Sequence, residues 1–193
     1  MRVTTFIPLA LTALRAILGP VVVLLAISCP SRIAFGICLV LAFLSDVFDG
    51  IIARRLKVAT PALRRLDSVA DSVFYVAAVF AAWHLYPSAI REHLIALLVL
   101  VGLELTRYVF DWAKFRREAS YHMWSSKLWG IALFAGFFAL LALGMSGLPV
   151  AVAIYVGIVA DVEGLAISIA LREWQTDVPT LIHALRLRAL QGG

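Results

Sequence analysis

The composition of this 193-residue chain excludes an ordinary soluble domain. Hydrophobic residues make up 63% of it and charged residues only 15%, whereas soluble domains are about 45–50% apolar. The net charge is +5, but the basic residues cluster between apolar segments, which argues against nucleic acid as a partner and favours a protein that is embedded among membrane lipids.

Six apolar stretches are long enough to cross a bilayer, which takes about 20 residues. They lie at residues 6–28, 33–53, 62–86, 94–112, 128–146 and 149–171. The pattern predicts an all-α integral membrane bundle of about six transmembrane helices, organised as a single domain over residues 1–193. Residues 174–193 are predicted to be a cytoplasmic tail, either a short amphipathic helix on the membrane surface or a solvated segment.

The first stretch ends in a sequence, residues 25–29, that loosely resembles a lipoprotein cleavage site. We expect this helix to be retained. Cleavage would leave five helices and spoil the alternation of charge between the loops.

Loop charge alternates between the two ends of the predicted bundle. The loops after the second and fourth stretches and the tail are basic, whereas the opposite loops carry only Arg32 and Arg91. Cytoplasmic loops are enriched in lysine and arginine. We therefore expect a multi-pass protein of the cell membrane, with both termini and the basic loops in the cytoplasm.

Four aspartates lie near one predicted membrane depth, where an unpaired carboxylate is energetically costly. Asp46 and Asp49 are three residues apart near the end of the second stretch, and Asp67 and Asp71 are four apart near the start of the third. These spacings place each pair on one face of its helix. Because the third helix returns antiparallel to the second, we expect the two pairs to meet.

Residues near the aspartate pairs indicate where the third helix begins and where a ligand could fit. Thr60 and Pro61 are typical of a helix N-cap followed by proline at the first helical position. They fix the start of the third helix and place Leu63 on the same helix face as Asp67 and Asp71. On the second helix, Gly50 and Ala53 are small enough to admit a ligand beside the carboxylates.

Converging carboxylates without histidine or thiolate favour Mg²⁺, Mn²⁺ or Ca²⁺ over zinc. A diphosphate is the usual companion of such a site, and two cations could neutralise its charge. The alternative is a set of internal salt bridges with the arginines of the basic loop, Arg54, Arg55, Arg64 and Arg65. We disfavour it because such residues normally extend to the interface. The sequence predicts a polar, metal-binding cavity at the cytoplasmic side.

The same residues resemble the signature of the class I CDP-alcohol phosphatidyltransferase family, D-x2-D-G-x2-A-R-x8-G-x3-D-x3-D. The matching positions are Asp46, Asp49, Gly50, Ala53, Arg54, Asp67 and Asp71. Leu63 stands where the signature has its second glycine. The resemblance extends to residues 11–15 before Pro20 and to the six-helix plan, so it covers most of the chain.

The resemblance implies a metal-dependent transferase of phospholipid biosynthesis, which moves the phosphatidyl group of CDP-diacylglycerol to a small polar alcohol and releases CMP. It implies two ions, Mg²⁺ or Mn²⁺, held by Asp46, Asp49 and Asp67, with Asp71 contacting the second ion and acting as general base. The implied CDP-binding residues are Asp46, Asp49, Gly50, Ala53, Arg54, Leu63 and Asp67. Leucine at position 63 is expected to narrow or reshape the cytidine pocket. A homodimer is also implied.

Other charged residues lie in or near the apolar stretches, and an intramembrane charge suggests function by default. They are Arg15, Glu104, Arg107, Asp111, Lys127, Asp161 and Glu163. Arg107 and Lys127 are candidates to bind the acceptor, because two cations suit a phosphorylated polyol such as glycerol 3-phosphate. Arg107 could equally pair with Glu104.

Two other functions are compatible with membrane-embedded aspartates. A membrane prenyltransferase also binds a diphosphate through metal, but that fold is longer. A small cation transporter could use the aspartates as its transport site, although the chain has no recognisable inverted repeat. Release of CMP from CDP-diacylglycerol separates the first interpretation from both.

The orientation can be tested by labelling. Cysteines introduced near Lys57 and Arg116 should react only from the cytoplasmic side, and one near Ser146 only from the outside. The opposite pattern of accessibility would overturn the predicted topology.

Overall fold

The computed structural model describes residues 3–56, 60–117 and 121–190. Lys57 lies outside these ranges, and the side chains of residues 3–6, 53, 54, 61, 62 and 64 lie outside the description as well. The described residues are predominantly helical and contain no β-strand. The predicted all-α class is confirmed.

The helices follow one another with short connections. They are α1 (Val3–Ser28), α2 (Arg32–Arg55), α3 (Pro61–Leu85), α4 (Pro87–Glu92), α5 (Leu94–Phe115), α6 (Trp124–Phe137, continued by a π-helical segment, Phe138–Ala142), α7 (Leu148–Ala170) and α8 (Leu181–Leu190). By length and composition, five of the described helices could cross a membrane: α1, α2, α3, α6 with its π-helical segment, and α7. These helices support the predicted multi-pass membrane protein.

The sixth expected span corresponds to α5. This helix has 22 residues, which is long enough, but it carries Glu104, Arg107, Asp111 and Lys114. Because these charges are spaced from the middle of the helix to its end, its uncharged apolar stretch is shorter than those of the five other helices. Composition thus supports five of the approximately six expected spans.

The described contacts divide the chain into two compact units. The first comprises Met1–Ile90 and Phe137–Ser146, and the second comprises Arg91–Gly136 and Gly147–Gly193. In the first unit, α1 packs against α2 and α3, and α2 packs against the π-helical segment. In the second, α7 packs against α5 and α8. The single domain over residues 1–193 stays a prediction.

Within the first unit, α1 and α3 approach closely at Gly19. A Cβ atom at this position would lie 3.1 Å from Cγ1 of Val73 and 3.3 Å from its carbonyl oxygen, so even a methyl group would require α3 to shift slightly at Val73. Small residues permit this kind of close helix packing in membranes. Arg15, one turn before Gly19 on α1, is thereby held beside the N-terminal half of α3.

The start of α3 is set by its cap, as the sequence predicts. The Oγ1 atom of Thr60 accepts a hydrogen bond from the backbone N–H of Leu63 at 3.2 Å, and Pro61 occupies the first turn. The cap fixes the residue at which the helix begins, and Leu63, Asp67 and Asp71 then follow at helical spacing. Leu63 is buried, while Asp67 and Asp71 remain partly exposed.

In the second unit, a buried apolar cluster joins the end of α7 to α8. It contains Tyr121, Met123, Ile167, Ala170, Leu171, Val178 and Ala184. Thr180 accepts a hydrogen bond from the N–H of His183 at 3.3 Å, just before α8 begins. The predicted tail therefore contains a helix that packs on its own unit, and its placement at a membrane surface stays a prediction.

Candidate active site

The first unit contains a polar cluster built by three helices around one arginine. Arg15 of α1 faces Asp46 and Asp49 of α2 and Asp67 and Asp71 of α3. Its Nη1 atom lies 3.1 Å from Oδ1 of Asp46 and 3.0 Å from Oδ1 of Asp67, and it also contacts Asp71. Its Nη2 atom contacts Asp49. The structure thus brings the two aspartate pairs together.

The cluster has a closed inner side and an open outer edge. Arg15 and Asp49 have side chains that are only 2% and 6% exposed. The other three carboxylates are more accessible, with Asp46 at 49%, Asp67 at 33% and Asp71 at 34%. A substrate could therefore reach the cluster from the side of Asp46, Asp67 and Asp71.

Arg15 is the member of the cluster whose role the sequence did not predict. The sequence marks it as a charge inside an apolar stretch and as part of residues 11–15, which share the family resemblance, and the disfavoured salt-bridge alternative named only the arginines of the basic loop. Of those, Arg55 and Arg65 are exposed, and the side chains of Arg54 and Arg64 lie outside the description. A cation in a transmembrane helix needs anionic neighbours, and this requirement is the one sequence signal that could have linked Arg15 to the aspartates.

Three of the carboxylates fit a divalent cation. Asp46, Asp49 and Asp67 each offer one oxygen atom, and these atoms all lie within 4.8 Å of one another. Within the part of the chain that the structure describes, the buried Oδ1 atom of Asp67 accepts no hydrogen bond of good geometry, although Arg15 Nη1 is near. Hard oxygen ligands of this kind suit Mg²⁺ and Mn²⁺. Asp71 stands beside this group of three and contacts Arg15.

The residues expected to bind the nucleotide are described only in part. Gly50 is half-buried on α2, one residue after Asp49. Leu63 is 9% exposed in the first turn of α3, four residues before Asp67. The side chains of Ala53 and Arg54 lie outside the described residues. The nucleotide-binding assignments, including the effect of Leu63, stay predictions.

The two candidate acceptor-binding residues belong to the second unit. Arg107 of α5 forms an ion pair with Asp161 of α7, at 3.4 Å between Nη1 and Oδ1. Asp161 is fully buried, and neither of its oxygens accepts a hydrogen bond from a described residue. Lys127 is exposed on α6, with Nζ 4.3 Å from the ring centroid of Trp124. Their role in acceptor binding stays a prediction.

Lys114, which the sequence did not single out as a site residue, serves the packing of α5 on α7. Its Nζ atom donates hydrogen bonds to the carbonyl oxygens of Ser168 at 2.8 Å and of Leu171 at 2.6 Å. The last carbonyl groups of a helix have no partner within the helix, and a lysine there also complements the helix dipole. Charged residues of α5 thus take part in holding the second unit together.

The family profile for CDP-alcohol phosphatidyltransferase matches residues 5–170, a range that includes Arg15 and all four aspartates. The comparisons with curated proteins and with solved structures found no match. The chain belongs to the CDP-alcohol phosphatidyltransferase family, as its motif indicated.

Membership places the chain among multi-pass membrane transferases that move a phosphatidyl group from a CDP-alcohol to an acceptor. The family is in general dependent on divalent metal, and the close group of Asp46, Asp49 and Asp67 offers matching ligands.

The ion pair of Arg107 and Asp161 can be tested by stability. Arg107→Met leaves a buried carboxylate without its cation, so we expect the free energy of unfolding in detergent to fall by roughly 3 kcal/mol. Adding Asp161→Leu should recover most of the loss, because the carboxylate that lost its partner is then removed as well. Arg188→Met, which removes an exposed arginine of α8, is the control and should change stability by less than about 0.5 kcal/mol. Equal stability of the Arg107 single variant and the control would contradict the pairing.

Proposed function

We propose that this protein transfers the phosphatidyl group of CDP-diacylglycerol to a hydroxyl of a small phosphorylated polyol, such as glycerol 3-phosphate, and releases CMP. The observation that carries the proposal is the carboxylate cluster of α2 and α3, which has the family's spacing and an open edge. The proposal that the acceptor is phosphorylated rests on the basic residues Arg107 and Lys127 alone.

In this proposal Asp46, Asp49 and Asp67 hold two divalent ions, Mg²⁺ or Mn²⁺, and Asp71 also contacts the second ion. When bound, such ions neutralise the diphosphate and stabilise the negative charge on the departing CMP. The buried Asp49 keeps its position through its contact with Arg15. The more exposed Asp46 and Asp67 face the side from which the nucleotide arrives.

Asp71 is proposed as the general base. It takes the proton from the acceptor hydroxyl, whose oxygen then forms a bond to the phosphatidyl phosphorus while the bond from phosphorus to the CMP oxygen breaks. Its carboxylate is partly exposed and does not belong to the group of three oxygens that lie within 4.8 Å of one another. It is therefore less committed to ion binding than the other three aspartates.

The remaining assignments follow the family motif. Gly50, Ala53, Arg54 and Leu63 are proposed to line the CDP pocket, with Leu63 reshaping the part of it where the family has glycine. Lys127 is exposed and open to an anionic acceptor, whereas Arg107 must share its charge with Asp161. We also propose that the site opens to the cytoplasm and that the protein forms a homodimer.

The function is tested by CMP release. Purified protein with CDP-diacylglycerol and glycerol 3-phosphate should release CMP in Mg²⁺ or Mn²⁺, lose this activity in a chelator, and regain it when metal is added back. Comparing the rate of CMP release with inositol phosphate or serine in place of glycerol 3-phosphate identifies the preferred acceptor. Turnover in metal-free protein would contradict the metal role, and no CMP with any alcohol would contradict the transferase.

Asp71→Asn tests the general base. The substitution keeps the shape of the side chain but removes its basicity, so the chemical step should slow by roughly 10²–10⁴-fold, while binding of CDP-diacylglycerol is affected less than turnover. Asp46→Asn should weaken nucleotide binding as well and should be partly rescued by high metal concentration. Both effects are read from nucleotide affinity and single-turnover rates.

A matched control for both variants is Asp177→Asn. Asp177 has an exposed side chain in the second unit and a positive φ of 57°, a conformation that asparagine tolerates as well as aspartate. Its activity should equal that of the wild type. Normal turnover of Asp71→Asn would show that the base is another group, even if the transferase activity stands.

A further inference from the structure

Arg15 occupies the centre of the aspartate cluster, and no proposed step of the reaction uses it. The side chain is almost completely buried. Its Nη1 atom faces Asp46, Asp67 and Asp71, and its Nη2 atom faces Asp49. One guanidinium therefore contacts all four carboxylates at once, which its planar fork of N–H donors allows.

The charge balance of the cluster explains this arrangement. Four ionised carboxylates within a few ångströms repel one another strongly where water is scarce. Arg15 offsets one of the four negative charges and donates hydrogen bonds to Asp49 and Asp71. Among the side chains that the structure describes in α1, α2 and α3, no other cation lies within 4.0 Å of these carboxylates.

Three of the carboxylates that Arg15 contacts are those that divalent ions would need. Oδ1 of Asp46 and Oδ1 of Asp67 both lie about 3 Å from Nη1, and with Asp49 these residues form the close carboxylate group. A guanidinium and a divalent ion repel each other and compete for the same carboxylates. Asp71 lies beside that group. Arg15 can therefore remain paired with Asp71 when the other carboxylates bind ions.

We propose that Arg15 is an internal counter-cation, which holds the four aspartates together before divalent ions bind and lowers the affinity of the cluster for those ions. This inference rests on the proposed metal-binding role of Asp46, Asp49 and Asp67. Arg15 is a positioning residue, since it acts on the reaction through the aspartates. The competing explanation is a structural brace, whose loss would let the carboxylates move apart and weaken ion binding.

Equilibrium binding of Mn²⁺ separates the two explanations. The full chain in detergent is titrated with Mn²⁺, and free Mn²⁺ is measured by electron paramagnetic resonance, with no substrate present. Arg15→Gln removes the competing charge, so we expect its dissociation constant for Mn²⁺ to fall at least tenfold below that of the wild type. Arg15→Lys keeps the charge and should stay within about threefold of the wild type.

Thermal unfolding gives a second readout on the same proteins. Without ions, Arg15→Gln should unfold at a lower temperature than the wild type, because the carboxylates have lost their cation. Added Mn²⁺ should raise its unfolding temperature by more than it raises that of the wild type, since an ion that binds the folded state more tightly stabilises it more.

The control variant is Arg32→Gln. It removes one positive charge from the same unit, at the exposed first residue of α2, far along the helix from Asp46. Its Mn²⁺ affinity and its ion-induced shift in unfolding temperature should match those of the wild type. A similar gain in affinity for Arg32→Gln would mean that overall charge is responsible, and would overturn the specific role of Arg15.

The outcomes distinguish this inference from the proposed function. If the wild type binds Mn²⁺ and Arg15→Gln binds it equally or more weakly, the counter-cation role is wrong and the metal site stands. If neither binds Mn²⁺, both the inference and the metal role in the proposed function fail.

A third measurement covers the case in which Arg15→Gln does not fold. In wild-type protein with ¹⁵N-labelled arginine, the Nε–H signal of Arg15 is identified by its loss in Arg15→Lys. Added Mg²⁺ should shift that signal, because the guanidinium leaves the oxygens that the ion takes. An unchanged signal at saturating Mg²⁺ would overturn the proposal.

Discussion

Carboxylates that lie within membrane-spanning helices must be compensated by a cation, and the first unit is arranged around this requirement. Asp49 is almost buried and the other three aspartates are partly buried, and Arg15 reaches all of them from a third helix. Such a cluster is sensitive to the loss of one partner, because a buried charge that is left unpaired costs far more than the pair itself contributes. The packing of α1 against α2 and α3 therefore serves the electrostatics of the site as well as the stability of the fold.

Three features of the backbone make the cluster possible. Gly19 lets α1 approach α3 at Val73, and the Thr60 cap sets where α3 begins. The spacings within each aspartate pair then direct all four side chains towards Arg15. Because Asp49 and Arg15 are held on the closed side while the other carboxylates are accessible, the cluster combines fixed geometry with an entrance. Fixed polar groups of this kind stabilise charge in a reaction without having to reorganise.

Charged residues in the second unit also join neighbouring helices. Arg107 pairs with the buried Asp161, and Lys114 binds the carbonyl groups at the end of α7. Both interactions join α5 to α7, so two of the four charged residues of α5 have a partner at that helix. The partners of these charges therefore differ. Those of Arg15 are the family's motif aspartates, whereas that of Arg107 is a buried carboxylate of the neighbouring helix.

The sequence by itself determined what depends on neighbouring residues and on fixed spacing. The helices, the Thr60 cap, the spacing of the aspartates and the family all follow from periodicity, local hydrogen bonding or a motif contained within residues 46–71. Only the tertiary structure decided that Arg15 joins Asp49 and Asp71, 34 and 56 residues further along the chain, and that Arg107 pairs with Asp161. Such contacts depend on the rotation of each helix about its axis and on the closeness of its packing, which a periodic pattern does not specify.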